Sequence, residues 1–162
     1  MNRLILKKFL PLLLIFCLAL FVRLYALGQM PLYLHQDEIM NGYVGRFILE
    51  NGKDLYGNPW PLLYFDNFGD FPSVVPMYIS GFFTYIFGLT EFAIRFPIAL
   101  AGALSVFPVY FITKKVTSSD QASNAAALFL SVSPWHVVLS RATAEAVIGT
   151  TLLLFGIVFL LR

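Results

Sequence analysis

Two adjacent carboxylates, Asp37 and Glu38, closely follow the first long apolar run of the sequence. A carboxylate there is a candidate general base toward a hydroxyl or amine acceptor. Neighbouring helical residues point about 100° apart, so the two would not share one site equally. By spacing, Asp37 also reads as a helix N-cap. A third carboxylate, Glu145, stands at or near the start of the last apolar run. It is costly there unless it faces protein or water, and stabilisation by a helix dipole is its other reading. Arg46, Arg95 and Arg141 suit a phosphate, because a guanidinium binds oxyanions bidentately. Snorkelling or pairing with nearby carboxylates accounts as well for Arg95 and Arg141. His136 follows Trp135 near the outer end of an apolar run, as a polar residue of the interfacial belt or as a ligand.

These residues sit in a chain of 162 residues that is 59% hydrophobic and only 12% charged. Soluble domains carry about 25% charged residues, so a soluble globule and a disordered tail are both excluded. The single Cys17 cannot form an internal disulfide, and a net charge of +2 gives no footprint for nucleic acid. The expected class is an all-α membrane protein. Five apolar runs are candidates for its helices: 9–27, 71–89, 92–113, 121–139 and 146–161. The first is longer than the 7–15 residues typical of a signal-peptide core, which favours a retained span.

Lys and Arg collect at cytoplasmic span ends. Arg3, Lys7 and Lys8 place the N-terminus inside, and Lys114, Lys115 and Arg162 join them there only if run 71–89 does not cross. That run is short, holds two prolines and is rich in aromatics, as an interfacial helix would be. The expectation is four transmembrane helices, a first outer loop over about 28–90 and a second over about 140–145. The first loop should contain two interfacial helices, about 37–50 and 71–89. Asp37, Asp70 and Thr90 are candidate helix caps, with Pro72 in the first turn of the second interfacial helix. Pro108 should kink the second span. Ala122, Ala125, Ala126 and Ala127 should form a small packing face on the third. Almost all carboxylates then lie outside, with Asp120 inside. A transporter reading fits poorly, because the span interiors hold almost no ionisable groups, whereas transporter sites lie at the bilayer midplane.

The segment DEIMNGYVGRFILENGKDLYGNPWPL, Asp37 to Leu62, resembles the opening of the GT-C integral membrane glycosyltransferases. The similar branch holds the protein O-mannosyltransferases and the aminoarabinose transferase that modifies lipid A. There an Asp-Glu pair opens an interfacial helix and an Arg follows nine residues on, as Arg46 does here. FGLTEFAIRFPIALAGALSV, Phe87 to Val106, is similar to the next segment, with Glu91, Arg95 and Pro97 in matching places. SPWHVVLSRATAEA, Ser133 to Ala146, is similar to the end of the third span and the second outer loop, with Glu145 as the second acid.

The resemblance implies an inverting transfer at the outer face of the plasma membrane from a polyprenyl-phosphate sugar to a lipid, glycan or protein acceptor. Asp37 would be the base, with Glu38 and Glu145 as the other catalytic carboxylates. Arg46 or Arg141 would contact the site or the donor phosphate, and Arg95 and His136 complete the candidate binding residues. Many relatives carry a Lys before a Pro pair at the interfacial helix, but this chain has FGDFPSVVP there and no basic residue from Asp54 to Ile94. Members have several hundred residues, so residues 1–162 correspond to an N-terminal transmembrane module. No organic cofactor is expected. A divalent cation would suit two outer carboxylates, but the sequence has no dedicated cage. A non-catalytic membrane scaffold that keeps the fold is the alternative.

Overall fold

The computed structural model describes residues 3–67 and 69–161, with side chains from residue 9 onward. Four of the charges that set the expected orientation, Arg3, Lys7, Lys8 and Arg162, fall outside the described side chains. Among the described residues every regular element is a helix, apart from isolated bridges in the loops. In order these are α1 (Arg3–Leu24), α2 (Gln36–Asn51), α3 (Val74–Phe87), α4 (Glu91–Leu104), α5 (Val106–Thr117), α6 (Asp120–Val132), α7 (Pro134–Arg141) and α8 (Glu145–Leu160). The chain divides into two compact units.

The first unit holds α1, the second half of α4, and α5 to α8. Its core joins Leu12, Ile15 and Ala19 of α1 to Ala103, Val106, Tyr110 and Ala127. The α1 positions recur at the three- and four-residue spacing of one helix face. On α6 the buried face is Ser123, Ala127 and Ser131. Of the four alanines expected to pack, only Ala127 is buried and Ala125 is exposed. The cause is phase, because residues 122, 125 and 126 lie off the row spaced by four residues. Phe21, Phe129, Leu152, Leu153 and Phe159 are each more than 60% exposed. So large an apolar exterior on several helices marks a surface that meets a membrane or another protein.

A proline sets the main break in this unit. Residues 91–117 form one apolar stretch of 27 residues, long enough to cross a membrane. It is interrupted at Ser105, between α4 and α5. Pro108 has no N–H for the carbonyl of Leu104, yet Ser105 N–H donates to Ala101 O and Val109 N–H to Ser105 O, so 91–117 continues as one helix with a one-residue irregularity where a kink was expected. Pro134 does break the third run, where α6 and α7 meet at a 51° bend instead of forming one straight span. The carbonyl of Leu130, orphaned by Pro134, accepts a bond from Arg23 Nη2 at 3.3 Å, and Ser131 O accepts from Nη1 at 2.9 Å. Arg23, at the end of α1, is fully buried. It serves the helix end that the proline leaves unpaired.

The second unit spans 26–98 and 141–145. Helices α2 and α3 cross with their backbones in contact at Gly45 and Gly81, where any Cβ would overlap the opposing main chain. Met40, Val44 and Ile48 pack there on Phe65, Val74 and Met77. Helix α3 is shorter than expected and is capped by Ser73 rather than Asp70, so Pro72 falls before it. Its 14 residues reach about 21 Å at 1.5 Å per residue, short of a hydrocarbon core of about 30 Å. Thr90 Oγ1 caps α4 by accepting from Ala93 N at 3.2 Å. Ser80 Oγ donates to Ile94 O at 3.1 Å and ties α3 to the first half of α4.

The loop after α2 is built on Asp54. Its side chain accepts from the backbone N–H groups of Tyr56 and Asn58 and from Asn58 Nδ2, at 2.8–2.9 Å. Burial alone would push this carboxyl up, but those bonds and one from Gly57 N–H hold it below the usual carboxylate value. The turn at Tyr56-Gly57-Asn58-Pro59 is thus organised by the buried Asp54 carboxylate.

Candidate active site

The site is built around a helix start. Helix α2 begins after His35, whose Nδ1 accepts from Asp37 N at 3.4 Å, while Glu38 Oε2 accepts from His35 N at 2.8 Å. This is a capping box with His35 in the cap position and Glu38 three residues on. The cap is therefore His35, not Asp37. Sequence reading missed it because Ser, Thr, Asp and Asn lead as caps. The signal that could have found it is the three-residue spacing from His35 to Glu38.

The two carboxylates of the pair have opposite surroundings, as a 100° step around the helix requires. Glu38 is 1% exposed and Arg95 is fully buried. Arg95 Nε donates to Glu38 Oε1 at 2.8 Å, and Nη2 donates to Glu38 Oε2 at 3.2 Å. Nη1 donates to the carbonyls of Leu27 and Pro31, and Nη2 also donates to that of Tyr33, at 3.0–3.2 Å. A guanidinium has five N–H donors, and all five are used. The half-exposed Glu91 stands 3.6 Å from Nη1, one turn before Arg95 on α4. A buried ion pair offsets its desolvation only when its remaining hydrogen bonds are made, and here they are. Arg95 thus has no donor left for a phosphate. It fixes the loop from Leu27 to Tyr33 and, through Glu38, the first turn of α2.

Asp37 is what that turn presents. Its side chain is 66% exposed, with His35 Nδ1 at 3.3 Å from Oδ2. An apolar groove of about 410 Å³ runs along the same helix, lined by Gln36, Ile39, Met40, Tyr43, Tyr56 and Phe65. Arg46 is two and a half turns further along α2. It donates to Glu50 Oε1 at 2.7 Å and to Thr84 O at 3.1 Å. Arg46, expected to contact the site or the donor phosphate, is therefore turned to other partners.

The loop 141–145 belongs to the same compact unit as Asp37. Arg141 Nη2 donates to Met30 O at 3.0 Å, joining that loop to the one that leads into α2. Burial, then the charge of Arg95, lowers Arg141 below the ordinary arginine value. Glu145 is exposed at the first position of α8. His136 lies in the other unit, on α7, where its Nδ1 is 2.8 Å from Arg23 Nη2. Because arginine only donates, that nitrogen is the acceptor and the ring proton sits on Nε2. Among the described residues no group of three His, Cys, Asp or Glu side chains is placed to hold a metal ion.

The described residues thus hold an exposed carboxylate on a clamped helix start and helices with an apolar exterior. Residues 71–162 match the family model described as dolichyl-phosphate-mannose-protein mannosyltransferase. The chain belongs to this membrane-integral family of mannosyltransferase type. No curated protein matches the chain, and no solved structure does.

Proposed function

We propose that this chain is the membrane module of an inverting glycosyltransferase that moves a sugar from a polyprenyl-phosphate donor to a hydroxyl-bearing lipid, glycan or protein at the outer face of the plasma membrane. The observation that carries the reading is the division of labour in the Asp-Glu pair. Glu38 is spent on the clamp with Arg95, and Asp37 is left exposed on the turn that the clamp holds.

In the reaction, Asp37 takes the acceptor hydroxyl proton as the acceptor oxygen bonds to the anomeric carbon. The bond from that carbon to the phosphate oxygen breaks, and the lipid phosphate leaves with the electron pair. Attack opposite the leaving group inverts the anomeric centre. Glu145 is the second acid of the site, and Arg141 is the cation nearest in sequence to it for the leaving phosphate. Arg95 and Arg46 act through other residues, and His136 supports α7. In this reading α1, α4 with α5, α6 with α7, and α8 are four spans and the carboxylates lie on the outer side, which Lys114 and Lys115 support as the cytoplasmic end of a span. The short α3 lies along the interface.

Asp37→Asn tests the base, because Asn keeps the size and removes the basicity. In the complete protein, transfer from polyprenyl-phosphate mannose should fall by about 10²–10⁴-fold, the usual share of general acid–base catalysis. Thermal unfolding in detergent should not move, since His35 and Glu38 make the capping bonds. Near-wild-type transfer by Asp37→Asn would end the assignment. Absence of transfer by the wild type with every polyprenyl-phosphate sugar tried would favour the scaffold reading.

A further inference from the structure

A second cavity lies in the first unit, far along the chain from the carboxylates. It is a cleft of about 790 Å³ between the C-terminal halves of α5 and α8. Phe111, Ile112, Phe155, Val158 and Phe159 form its apolar walls, and Lys114, Lys115 and Ser118 form one end. Such a cavity has the polarity of an amphiphile, greasy along its length and cationic at its mouth.

The two lysines are not equivalent. Lys114 Nζ is held by Asp120 Oδ1 at 3.0 Å and by Ser118 O at 3.1 Å, so its charge is largely answered inside the unit. Lys115, next to it in the last turn of α5, is exposed. Ser118 follows as the left-handed C-cap, with φ 56°. Part of the lysine charge offsets the negative ends of the helices, as cations in a last turn do. That role needs only a charge near the helix end, and it gives no reason for an apolar cleft of this size beneath the lysines.

We infer that the cleft between α5 and α8 binds an anionic glycerophospholipid, with its phosphate at Lys115 and the Ser118 hydroxyl and its acyl chains along Phe111, Phe155 and Phe159. Charge complementarity selects an anionic headgroup over a zwitterionic one. The apolar length of the walls selects a lipid over free phosphate. Basic pockets between helices on the cytoplasmic side are where anionic headgroups dock, and lysines mark the cytoplasmic end of a span. The inference rests on the membrane reading of the first unit and not on the assignment of Asp37.

The test is lipid retention by the detergent-purified, delipidated complete protein, titrated with phosphatidylglycerol or phosphatidylcholine and read by native mass spectrometry. Phosphatidylglycerol should bind at least fivefold more tightly. Lys115→Gln should remove about fivefold of that preference, the effect of about 1 kcal/mol per basic residue. Lys114→Gln should remove less. Ile112→Trp, which fills the cleft without touching a charge, should reduce retention of both lipids, and circular dichroism of each variant checks folding. Equal retention of the two lipids, or no response to Lys115→Gln, overturns the inference. So does a dimer of the chain that excludes lipid, because a second copy would then be the occupant. Transfer activity enters none of these readouts, so failure here and failure of the catalytic assignment are separate results.

Discussion

Each compact unit is organised by one buried arginine, and the two arginines do different work. In the second unit Arg95 spends its five donors on a carboxylate and three loop carbonyls. In the first unit Arg23 donates to the carbonyls of Ala19, Leu130 and Ser131 and to the ring of His136. Arg95 gathers a loop, so it determines where the turn that presents Asp37 begins. Arg23 repairs a helix end that Pro134 has opened, so it determines how a bent helix pair is held. A buried guanidinium is costly in both places, and in both it is retained where backbone carbonyls have no helical partner. The difference teaches that a buried charge in this chain reads as architecture first. The side chain to assign chemistry to is the exposed one that the architecture presents.

The sharpest way to break this comparison is Arg95→Ala. It leaves Glu38 buried without its countercharge and three carbonyls without donors. Removing one partner of a buried pair typically costs about 3–5 kcal/mol, and transfer should be lost with it. Arg95→Lys should recover only part of the stability, because an ammonium has three donors where five are used. Glu38→Gln should cost less than Arg95→Ala, because the amide oxygen still accepts one bond. Thermal unfolding in detergent measures all three. Should Arg95→Ala unfold no earlier than the wild type, the clamp does not hold the loop.

Asp54 sharpens the contrast within the second unit, since it gathers a loop as Arg95 does but with acceptors instead of donors. Its carboxyl is held below the ordinary value in the folded state. The sign follows: its contribution is full above the unfolded pKa of about 3.8 and fades as pH falls through the lower folded value. Asp54→Ala should cost about 1.5–3 kcal/mol at neutral pH, the range for hydrogen bonds to a charged group. The deficit should shrink below pH 4. A deficit that stays constant from pH 7 to pH 3 would mean that the carboxylate charge contributes nothing.

How much of this was legible in the sequence depended on the kind of signal. The helical class followed from long apolar runs, and the start of α8 from Glu145 ahead of the last one. The start of α2 was legible to within a residue, but its cap was not, because His35 caps through a ring nitrogen that propensity does not favour. The break at Ser133 was hidden because hydropathy ignores a missing N–H, although Pro134 was in plain view. The Glu38–Arg95 pair joins residues 57 apart in the chain, and only folding shows that Arg95 is consumed. Conversely, Arg46 lay at the family spacing from Asp37, yet helical geometry carries it two and a half turns away to Glu50. Spacing along a helix says which face a residue shares, and says nothing about what that face meets.

The smallest effect belongs to His136, the candidate ligand that lies in the unit of Arg23. Its Nδ1 accepts from a guanidinium that is already bonded to the end of α6. If the ring is one more acceptor for Arg23, His136→Ala should cost about 0.5–1.5 kcal/mol, the net worth of one hydrogen bond. His136→Asn should restore part of it where the amide oxygen reaches Nη2. The KM for the donor should stay within twofold in both variants. If the ring instead holds the donor, stability should hold and KM should rise, because removing an interaction that helps ground state and transition state equally raises KM and leaves kcat unchanged. The two outcomes separate on two axes, unfolding temperature and KM. A tenfold rise in KM with no loss of stability would return His136 to the binding site and leave Arg23 as the residue that positions it.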